Sequence, residues 1–364
     1  MDRRQFIKKS GIILAGTALT GIHPVRAMSA LHLNNEVRIG VFGPSHCAAP
    51  VFFAQEKGFF AEVGVKVRVI NYPSISSIAK DIAADNLDLG QLVMPLNFAI
   101  NAGVTPINID EPLYVAMVLG VQGSSLMTVK DAGIKTFADF RGKRIASTHK
   151  WSIHSLLTRY FLEQNGFDIQ NDVAIQVAEL DGFNKLVLEN TIDAFMMPEP
   201  VIALAEETGK TSLFMLNKYI WQYHPCCCLN IKESVFHRKR QKIASVLSAV
   251  AKASNHINFP GNREELVKVL RKGNNVYRSI PHSVLSRAFS AERSGWVPFP
   301  YESSAFFIMK MMQDFGILSQ FDIKSYVQKI VQADHMRICM QNAGIRAPKS
   351  NSRPETILGK ALFF

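Results

Sequence analysis

The chain has 364 residues, a formal net charge of +11, 48% hydrophobic residues and 20% charged residues. These fractions are typical of a globular protein, and the length fits two domain-sized lobes better than one small core. The positive balance favours anionic ligands. The basic residues form no long run and match no nucleic-acid-binding motif, so nucleic acid is not an expected partner.

The N-terminus has the three parts of a secretory signal. A basic start with Arg3 and Arg4 precedes an apolar run over residues 11–22, and Ala27 closes a small-residue end. The run is shorter than the ~20 residues needed to span a bilayer, and the paired arginines resemble the twin-arginine type of signal. We therefore predict a twin-arginine signal peptide at residues 1–27 and localisation in the periplasm.

Strand-length apolar runs alternate with helical patterns from residue 37 onward. In the first part of the chain, strands are predicted at residues 37–42, 65–72, 87–93 and 114–120. Amphipathic spacing predicts helices at residues 49–60 and 75–85. This alternation indicates a mostly parallel sheet with helices on its faces, and therefore an α/β fold.

A second series of the same kind follows. Its strands are predicted at residues 144–148, 173–179, 192–197 and 212–216. Its helices are predicted at residues 152–165, 182–189 and 200–208. Beyond Ile231 the pattern is almost entirely helical to about Asn342, and the Pro-, Ser- and Lys-containing tail is expected to be poorly ordered.

Two α/β series followed by helices fit a two-lobed architecture. Lobe 1 is predicted to contain residues 37–122 plus 232–346, lobe 2 residues 123–231, and the tail residues 347–364. The chain then crosses between the lobes twice, near residues 118–125 and near residues 226–231. In such sheets, ligands bind beyond the carboxyl ends of the strands, so the cleft between the lobes is the expected site.

The cysteines do not form a disulfide framework. There are five of them, Cys47, Cys226, Cys227, Cys228 and Cys339, and their spacing is irregular. Side chains of successive strand residues point to opposite faces, and zinc and iron sites favour Cys-x-x-Cys spacing, so the three adjacent cysteines make a poor metal site. We interpret them as part of a buried hinge strand and predict neither a metal nor a cofactor.

Several motifs resemble one known superfamily. The sequence AAPVFFAQEKGFF at residues 48–60 is similar to the first helix of the nitrate/sulfonate/taurine/bicarbonate superfamily of ABC-transporter substrate-binding proteins (NMT1/THI5-like). The segment at residues 86–100 resembles its next conserved strand end. SIHSLLTRYFL at residues 152–162 and IDAFMMPEP at residues 192–200 are similar to the nitrate-binding branch. Further matches to that branch lie at residues 298–304, 314–317 and 343–348.

The resemblance implies a two-lobed periplasmic-binding-protein (type II) fold with two crossovers and a helical C-terminal region. It also implies the exported substrate-binding component of an ABC importer, which binds its ligand as a monomer and hands it to a membrane permease. A small oxyanion such as nitrate or nitrite is the ligand that this branch implies. Sulfonates, bicarbonate and thiamine-precursor pyrimidines stay open.

The strand end and helix start around residues 147–154 are the first candidate for an anion site. Free backbone N–H groups and the helix dipole there favour an anion. Ser152 is expected to cap the helix, while His149, Lys150 and His154 can add hydrogen bonds and charge to a planar oxyanion.

The first lobe has an equivalent turn, formed by Ser45, His46 and Cys47, in which Ser45 is expected to cap a helix. The end of the strand at residues 87–93 adds three further candidates, and a fourth lies at the end of the strand at residues 192–197. These candidates are Met94, Pro95, Asn97 and Glu199. Asn97 can donate to a ligand oxygen, whereas the Glu199 carboxylate would repel an anion and favours a hydrogen bond to the hinge.

Two other functions stay open. The sequence HPCCC at residues 224–228 resembles the start of the cysteine cluster in the fungal thiamine-pyrimidine synthase, which shares this fold. That resemblance implies an enzyme using pyridoxal phosphate and iron, or a binder of the pyrimidine precursor. The predicted export signal argues against the enzyme. A ligand sensor that docks on a membrane receptor is the other alternative.

Overall fold

The computed structural model describes residues 36–178 and 183–364, so the predicted signal peptide lies outside the described residues. The first part of the chain contains four strands, which are β1 (Glu36–Val41), β2 (Lys66–Asn71), β3 (Leu89–Val93) and β4 (Leu113–Val118). Its helices are α1 (Ala49–Glu56), α2 (Phe59–Glu62), α3 (Ile75–Ala83) and α4 (Met94–Asn101).

The second part begins with the short strand β5 (Val121–Gln122). Five longer strands follow, which are β6 (Ser124–Val129), β7 (Arg144–Ser147), β8 (Ala174–Val177), β9 (Ala194–Pro198) and β10 (Thr211–Leu216). The helices between them are α5 (Ile153–Gln164), α6 (Phe183–Leu188) and α7 (Val201–Glu207).

The last part is mostly helical. After β11 (Cys227–Lys232) come α8 (Glu233–Arg238), α9 (Arg240–Asn258), α10 (Arg263–Lys272), α11 (His282–Ala288), α12 (Glu302–Asp314), α13 (Ile323–Ile330) and α14 (Ala333–Asn342). This part also has three short strands. Strand β12 (Ser294–Gly295) lies between α11 and α12, and β13 (Glu355–Ile357) and β14 (Lys360–Leu362) follow α14. In the part of the chain that the structure describes, no helix is both long enough and apolar enough to cross a membrane.

The first sheet has the order β2-β1-β3-β11-β4. Strands β1 and β3 are parallel, whereas β11 runs antiparallel to both β3 and β4. Every residue of β3, β4 and β11 is buried, as expected for strands covered by helices on both faces. Because β11 follows the whole second sheet in the chain, the polypeptide returns to complete the first sheet.

The second sheet has the order β10-β6-β9-β7-β8. Strand β7 is parallel to β8 and β9, and β6 is antiparallel to β9 and β10. The chain therefore crosses between the sheets between β4 and β6, and again between β10 and β11. At the first crossing, β5 pairs with β12 from the C-terminal helical region.

The predicted elements agree with the structure in type and approximate position, with several differences. Both sheets mix parallel and antiparallel strands, whereas a mostly parallel sheet was predicted, because β6 and β11 run antiparallel to their neighbours. The predicted helix at residues 49–60 is two helices, because Gly58 adopts a left-handed conformation with φ of 75°. Residues 94–101 form a helix, α4, and residues 124–129 form a strand, β6, and neither element was predicted. Two further differences concern a lobe boundary and the tail.

Strand β11 hydrogen-bonds within the first sheet, so residues 227–231 lie there and not in the predicted second lobe. The other predicted lobe boundaries stay predictions. The tail contains the hairpin β13–β14, and Glu355 within it is fully buried. Its carboxylate accepts hydrogen bonds from Trp221 Nε1 at 2.9 Å, Ser303 Oγ at 2.8 Å and Ser304 Oγ at 2.6 Å. These partners order a segment whose composition alone predicted disorder.

Candidate ligand site between the two sheets

The turn between β7 and α5, residues 148–152, ends at the start of a twelve-residue helix. Ser152 is the N-cap of this helix, and its Oγ accepts a hydrogen bond from the Ser155 N–H at 3.0 Å. Thr148 Oγ1 donates to Ser152 Oγ and lies 3.4 Å from His154 Nδ1. The hydroxyl groups thus fix the start of α5 and the ring of His154, as the capping pattern predicted.

Three side-chain nitrogens of this region have no hydrogen-bond partner among the described residues, although all three are buried. They are Nδ1 of His149, Nε1 of Trp151 and Nε2 of His154. Buried polar atoms in native proteins are nearly always hydrogen-bonded to protein, water or a ligand. The cluster therefore marks a place where a polar ligand would complete the hydrogen bonding.

His154 lies near two histidines from other parts of the fold, His46 before α1 and His224 before β11. Burial, together with the nearby His224, His46 and His149, lowers the pKa of His154 to about 3. Burial also lowers the pKa of His46 and of His224 to about 4 each. All three imidazoles are therefore neutral at pH 7, and each offers one donor and one acceptor.

The ring of His46 lies against the backbone of the first crossing. A Cβ atom at Gly120 would come within 2.8 Å of this ring, and one at Gly123 within 2.4 Å. Gly123 also has φ of 69°, a conformation that side chains rarely adopt. The first crossing thus depends on two glycines to pass close to His46.

Thiols gather beside the same histidine. Cys47 Sγ lies 3.4 Å from His46 Nε2, and Cys226 Sγ lies 3.9 Å from Cys227 Sγ. Donor atoms of His46, Cys47 and Cys226 all lie within 4.8 Å of one another, the spacing of a metal site. Cys228 is separate, because its Sγ points to Leu92 O at 3.5 Å.

Sequence analysis did not predict that Cys47 and Cys226 lie together. Cys226 precedes β11, so the alternation of side chains along that strand does not apply to it. Cys47 comes from the other end of the chain, and its approach to Cys226 depends on the return of β11 to the first sheet.

Glu199 joins the two parts of the fold. Its backbone oxygen accepts a hydrogen bond from the His46 N–H at 3.1 Å. Its fully buried carboxylate accepts hydrogen bonds from Arg293 Nη1 at 3.0 Å and the Ala203 N–H at 3.2 Å. Burial raises the pKa of Glu199 to about 7, and the Arg293 guanidinium opposes that rise. The carboxylate thus has partners within the protein, as the repulsion argument predicted.

Several other candidates have partners away from the unpartnered nitrogens. Ser45 Oγ donates to Phe42 O at 2.6 Å and accepts from the Ala48 N–H at 3.2 Å. The prediction that Ser45 caps the helix was wrong, because α1 begins later in the chain, with Ala48 at the N-cap and no side-chain cap. Asn97 Nδ2 donates to Leu113 O at 2.9 Å and Asn230 Oδ1 at 2.8 Å, inside the first sheet and its helices.

The last three candidates differ in exposure. Met94 and Pro95 are buried at the start of α4, and the Met94 N–H donates to Cys226 O at 3.2 Å. Lys150 is exposed, and its ammonium lies 4.9 Å from the ring centre of Trp151. The structure therefore brings together His46, Cys47, His149, Ser152 and His154, and it adds Trp151 and His224, which sequence analysis missed.

Comparison with known proteins shows the family of this chain. A model of the NMT1-like family matches residues 33–271. The nitrate/nitrite binding protein NrtA of Synechococcus elongatus is 26% identical over 356 residues, covering 84% of this chain and 78% of that protein. The nitrate import ATP-binding protein NrtC of a Synechocystis strain is 26% identical over 245 residues, but this chain covers only 36% of its length.

A solved structure extends the comparison to the fold. The periplasmic nitrate-binding protein NrtA from Synechocystis PCC 6803 superimposes with a TM-score of 0.80 at 20% identity, covering 89% of this chain and 94% of that chain. The predicted superfamily, its nitrate-binding branch and the periplasmic-binding-protein fold are thereby confirmed.

Proposed function

Because the chain belongs to the NMT1-like family, we propose that it is the exported substrate-binding component of an ABC importer, which captures a small oxyanion such as nitrate or nitrite. The cluster of unpartnered nitrogens on His149, Trp151 and His154 carries this proposal. In the proposal, a twin-arginine signal at residues 1–27 exports the chain to the periplasm. The protein then acts as a monomer and delivers its ligand to a membrane permease.

The site would hold an oxyanion by hydrogen bonds. Trp151 Nε1 always carries a hydrogen, and each neutral imidazole can place its one hydrogen on the unpartnered nitrogen. The N-terminus of α5 adds the positive end of the helix dipole. Nitrate and nitrite spread one negative charge over several oxygens, so several neutral donors can satisfy them together. A bound anion would also favour the protonated form of His154.

Ligand binding would favour a closed arrangement of the two sheets. His154 belongs to the second sheet's turn and His46 to the first, and the chain between them passes through Gly120 and Gly123. A ligand bound at His154 would be enclosed by the first sheet's region only when the two regions are close, which shifts the equilibrium toward closure. The permease would recognise that closed form.

A thermal-shift panel tests the proposal. The purified protein is melted with nitrate, nitrite, bicarbonate, taurine, alkanesulfonates and formyl-aminopyrimidine. A ligand present at a hundred times its dissociation constant stabilises the folded state by about 2.7 kcal/mol. We expect this stabilisation, seen as a higher melting temperature, with nitrate or nitrite. No shift with any oxyanion would refute the proposed ligand class.

A second candidate is a neutral pyrimidine precursor. The imidazoles of His46, His154 and His224 are uncharged at pH 7, and the ring of Trp151 lies next to His149 with their centres 6.1 Å apart. Neutral donors, acceptors and an aromatic ring also suit a flat heterocycle. A shift with formyl-aminopyrimidine alone would favour this candidate over the oxyanion.

A further inference from the structure

The His46–Cys47–Cys226 cluster is a separate group from the unpartnered nitrogens of residues 149–154. Its three side chains are fully buried or nearly so, with exposed fractions of 0%, 0% and 2%. One donor atom from each lies within 4.8 Å of the other two. Cys227, 5% exposed, places its Sγ 3.9 Å from that of Cys226 and accepts a hydrogen bond from Gln91 Nε2 at 3.5 Å.

We propose that this cluster is a zinc site, with His46, Cys47 and Cys226 as ligands. Cys227, whose Sγ lies 3.9 Å from that of Cys226, is the thiol next to the fourth position. Tetrahedral zinc has Zn–S bonds of about 2.3 Å and Zn–N bonds of about 2.0 Å, which places neighbouring donor atoms about 3.5 to 3.8 Å apart. The structure has 3.4 Å between His46 Nε2 and Cys47 Sγ, and 3.9 Å between Cys226 Sγ and Cys227 Sγ. Both separations are close to the tetrahedral values.

The donor atoms favour zinc over the hard cations magnesium and calcium. Two or three thiols and one imidazole are soft ligands that favour zinc over magnesium or calcium, which prefer oxygen. The nearby carboxylate of Glu199 has Arg293 and the Ala203 N–H as partners and is therefore not needed as a ligand. Binding releases one proton from each thiol that becomes a thiolate ligand and changes no oxidation state.

The backbone holds the ligands in place from several directions. The His46 N–H donates to Glu199 O at 3.1 Å, and His46 O accepts from Trp296 Nε1 at 2.8 Å. The Cys226 N–H donates to Gly120 O at 2.9 Å, and Cys226 O accepts from Met94 at 3.2 Å. Ligands fixed in this way lose little freedom when a metal binds, which favours affinity.

A metal here would tie the start of α1 to the second crossing, since Cys47 belongs to the former and Cys226 to the latter. The assignment places His46 among the contacts of the metal and leaves His149, Trp151 and His154 to the oxyanion. The two sites can therefore be tested apart, because zinc binding is measured without an oxyanion and oxyanion binding is measured on a variant without zinc.

The experiment adds Zn²⁺ or Co²⁺ to the full chain, purified under reducing conditions and freed of metal. We expect one zinc per chain by elemental analysis. Cobalt should give strong visible bands of a tetrahedral ion together with near-ultraviolet bands from thiolate ligands. Cys47→Ser and Cys226→Ser should each lose stoichiometric zinc, whereas Cys339→Ser, a buried cysteine outside the cluster, should keep it.

Three metal-binding results would overturn the zinc site, and a disulfide would be a fourth. The first is zinc bound at well below one per chain. The second is a cobalt spectrum without thiolate bands. Both are measured on the unmutated chain, so neither depends on whether a variant folds. The third is zinc binding that persists in both cluster variants. A disulfide between Cys47 and either Cys226 or Cys227 would also contradict the zinc site. It would be detected by mass spectrometry in protein purified without reductant, and it would have to resist mild reductant. An unchanged oxyanion shift in Cys47→Ser would leave the proposed transport function standing.

Discussion

The turn after β1 and the turn after β7 are built alike, since in each a strand ends and a helix begins. In the turn after β1, the polar groups have partners inside the protein. Ser45 Oγ bonds to Phe42 O and the Ala48 N–H, and the backbone of His46 bonds to Glu199 and Trp296. In the turn after β7 and the first residues of α5, His149 and His154 each leave one buried ring nitrogen unpartnered among the described residues.

The two turns therefore differ in role, since the first contributes to the stability of the fold and the second to ligand binding. A turn whose hydrogen bonds are complete stabilises the fold and gains nothing from a polar ligand. A turn with buried donors left open destabilises the empty protein, because an unsatisfied buried group costs about 1–3 kcal/mol. A ligand can recover that free energy. Changes in the first turn should therefore lower stability, and changes in the second should lower affinity.

The largest expected effect in this comparison is on the ion pair that supports the first turn. Arg293→Ala removes the partner of the fully buried Glu199 carboxylate. Breaking a buried pair in this way costs about 3–5 kcal/mol of unfolding free energy. Chemical denaturation measures the loss. Arg287→Ala is the matched control, because that arginine is more exposed and also pairs with Glu206, and it should cost below about 1 kcal/mol.

A smaller loss is expected from Trp296→Phe. The change keeps an aromatic ring but removes the Nε1 donor to His46 O. Leaving that buried oxygen without its donor should lower the unfolding free energy by about 1–3 kcal/mol. Denaturation measures this loss of stability. Ligand affinity, measured by titration of the same variant, should change little. A large loss of affinity with unchanged stability would reverse the roles assigned to the two turns.

The next largest effect is on the pH dependence of the unfolding free energy, to which the second turn contributes through His154. The pKa of His154 is lowered to about 3 by burial, whereas an unfolded histidine titrates near 6.5. The unfolded chain therefore takes up the proton first as the pH falls below 6.5, and folded stability is lost progressively toward pH 3. His154→Gln should make this loss less steep by about 1.4 kcal/mol per pH unit.

Urea unfolding at pH 6.5, 5.5 and 4.5 measures that slope. His237→Gln is the control, because this histidine is largely exposed and should leave the slope unchanged. Parallel curves for wild type and His154→Gln would show that His154 is not buried as a neutral ring.

The smallest expected effect is from Lys150→Ala. Lys150 is exposed and its ammonium lies over the ring of Trp151, so it contributes charge at the rim of the second turn. Exposed charges contribute about 0–1 kcal/mol and are screened by salt. We expect oxyanion affinity to fall less than about fivefold, with a smaller difference at high salt. Lys185→Ala, a change at another exposed lysine, should have no effect in the same titration.

The strands, the two α/β series and the Ser152 cap could be predicted because each depends on local spacing and local hydrogen bonds. Other features depend on contacts between distant parts of the chain. Arg293 lies 94 residues from Glu199, and nothing near either residue indicates the pair. The buried hairpin carboxylate of Glu355 is a similar case, since its partners lie at Trp221, Ser303 and Ser304.

Within the candidate site, prediction from the strand end and helix start named His149 and His154. Each has an unpartnered buried ring nitrogen, which fits that assignment, and their contact with a ligand stays a prediction. Sequence analysis missed His224, because that histidine reaches the site only through the return of the chain to the first sheet. It also assigned Asn97 to the ligand, whereas both hydrogens of its amide are used by Leu113 O and Asn230 Oδ1.

The most direct test of the second turn as the ligand site is calorimetric titration of nitrate into wild type, His154→Ala and His237→Ala. Removing one donor to a bound anion costs about 1.5–3 kcal/mol. The account therefore predicts affinity at least about tenfold weaker for His154→Ala and unchanged for His237→Ala, with the folded state of both intact by circular dichroism. Equal affinity for wild type and His154→Ala would contradict it.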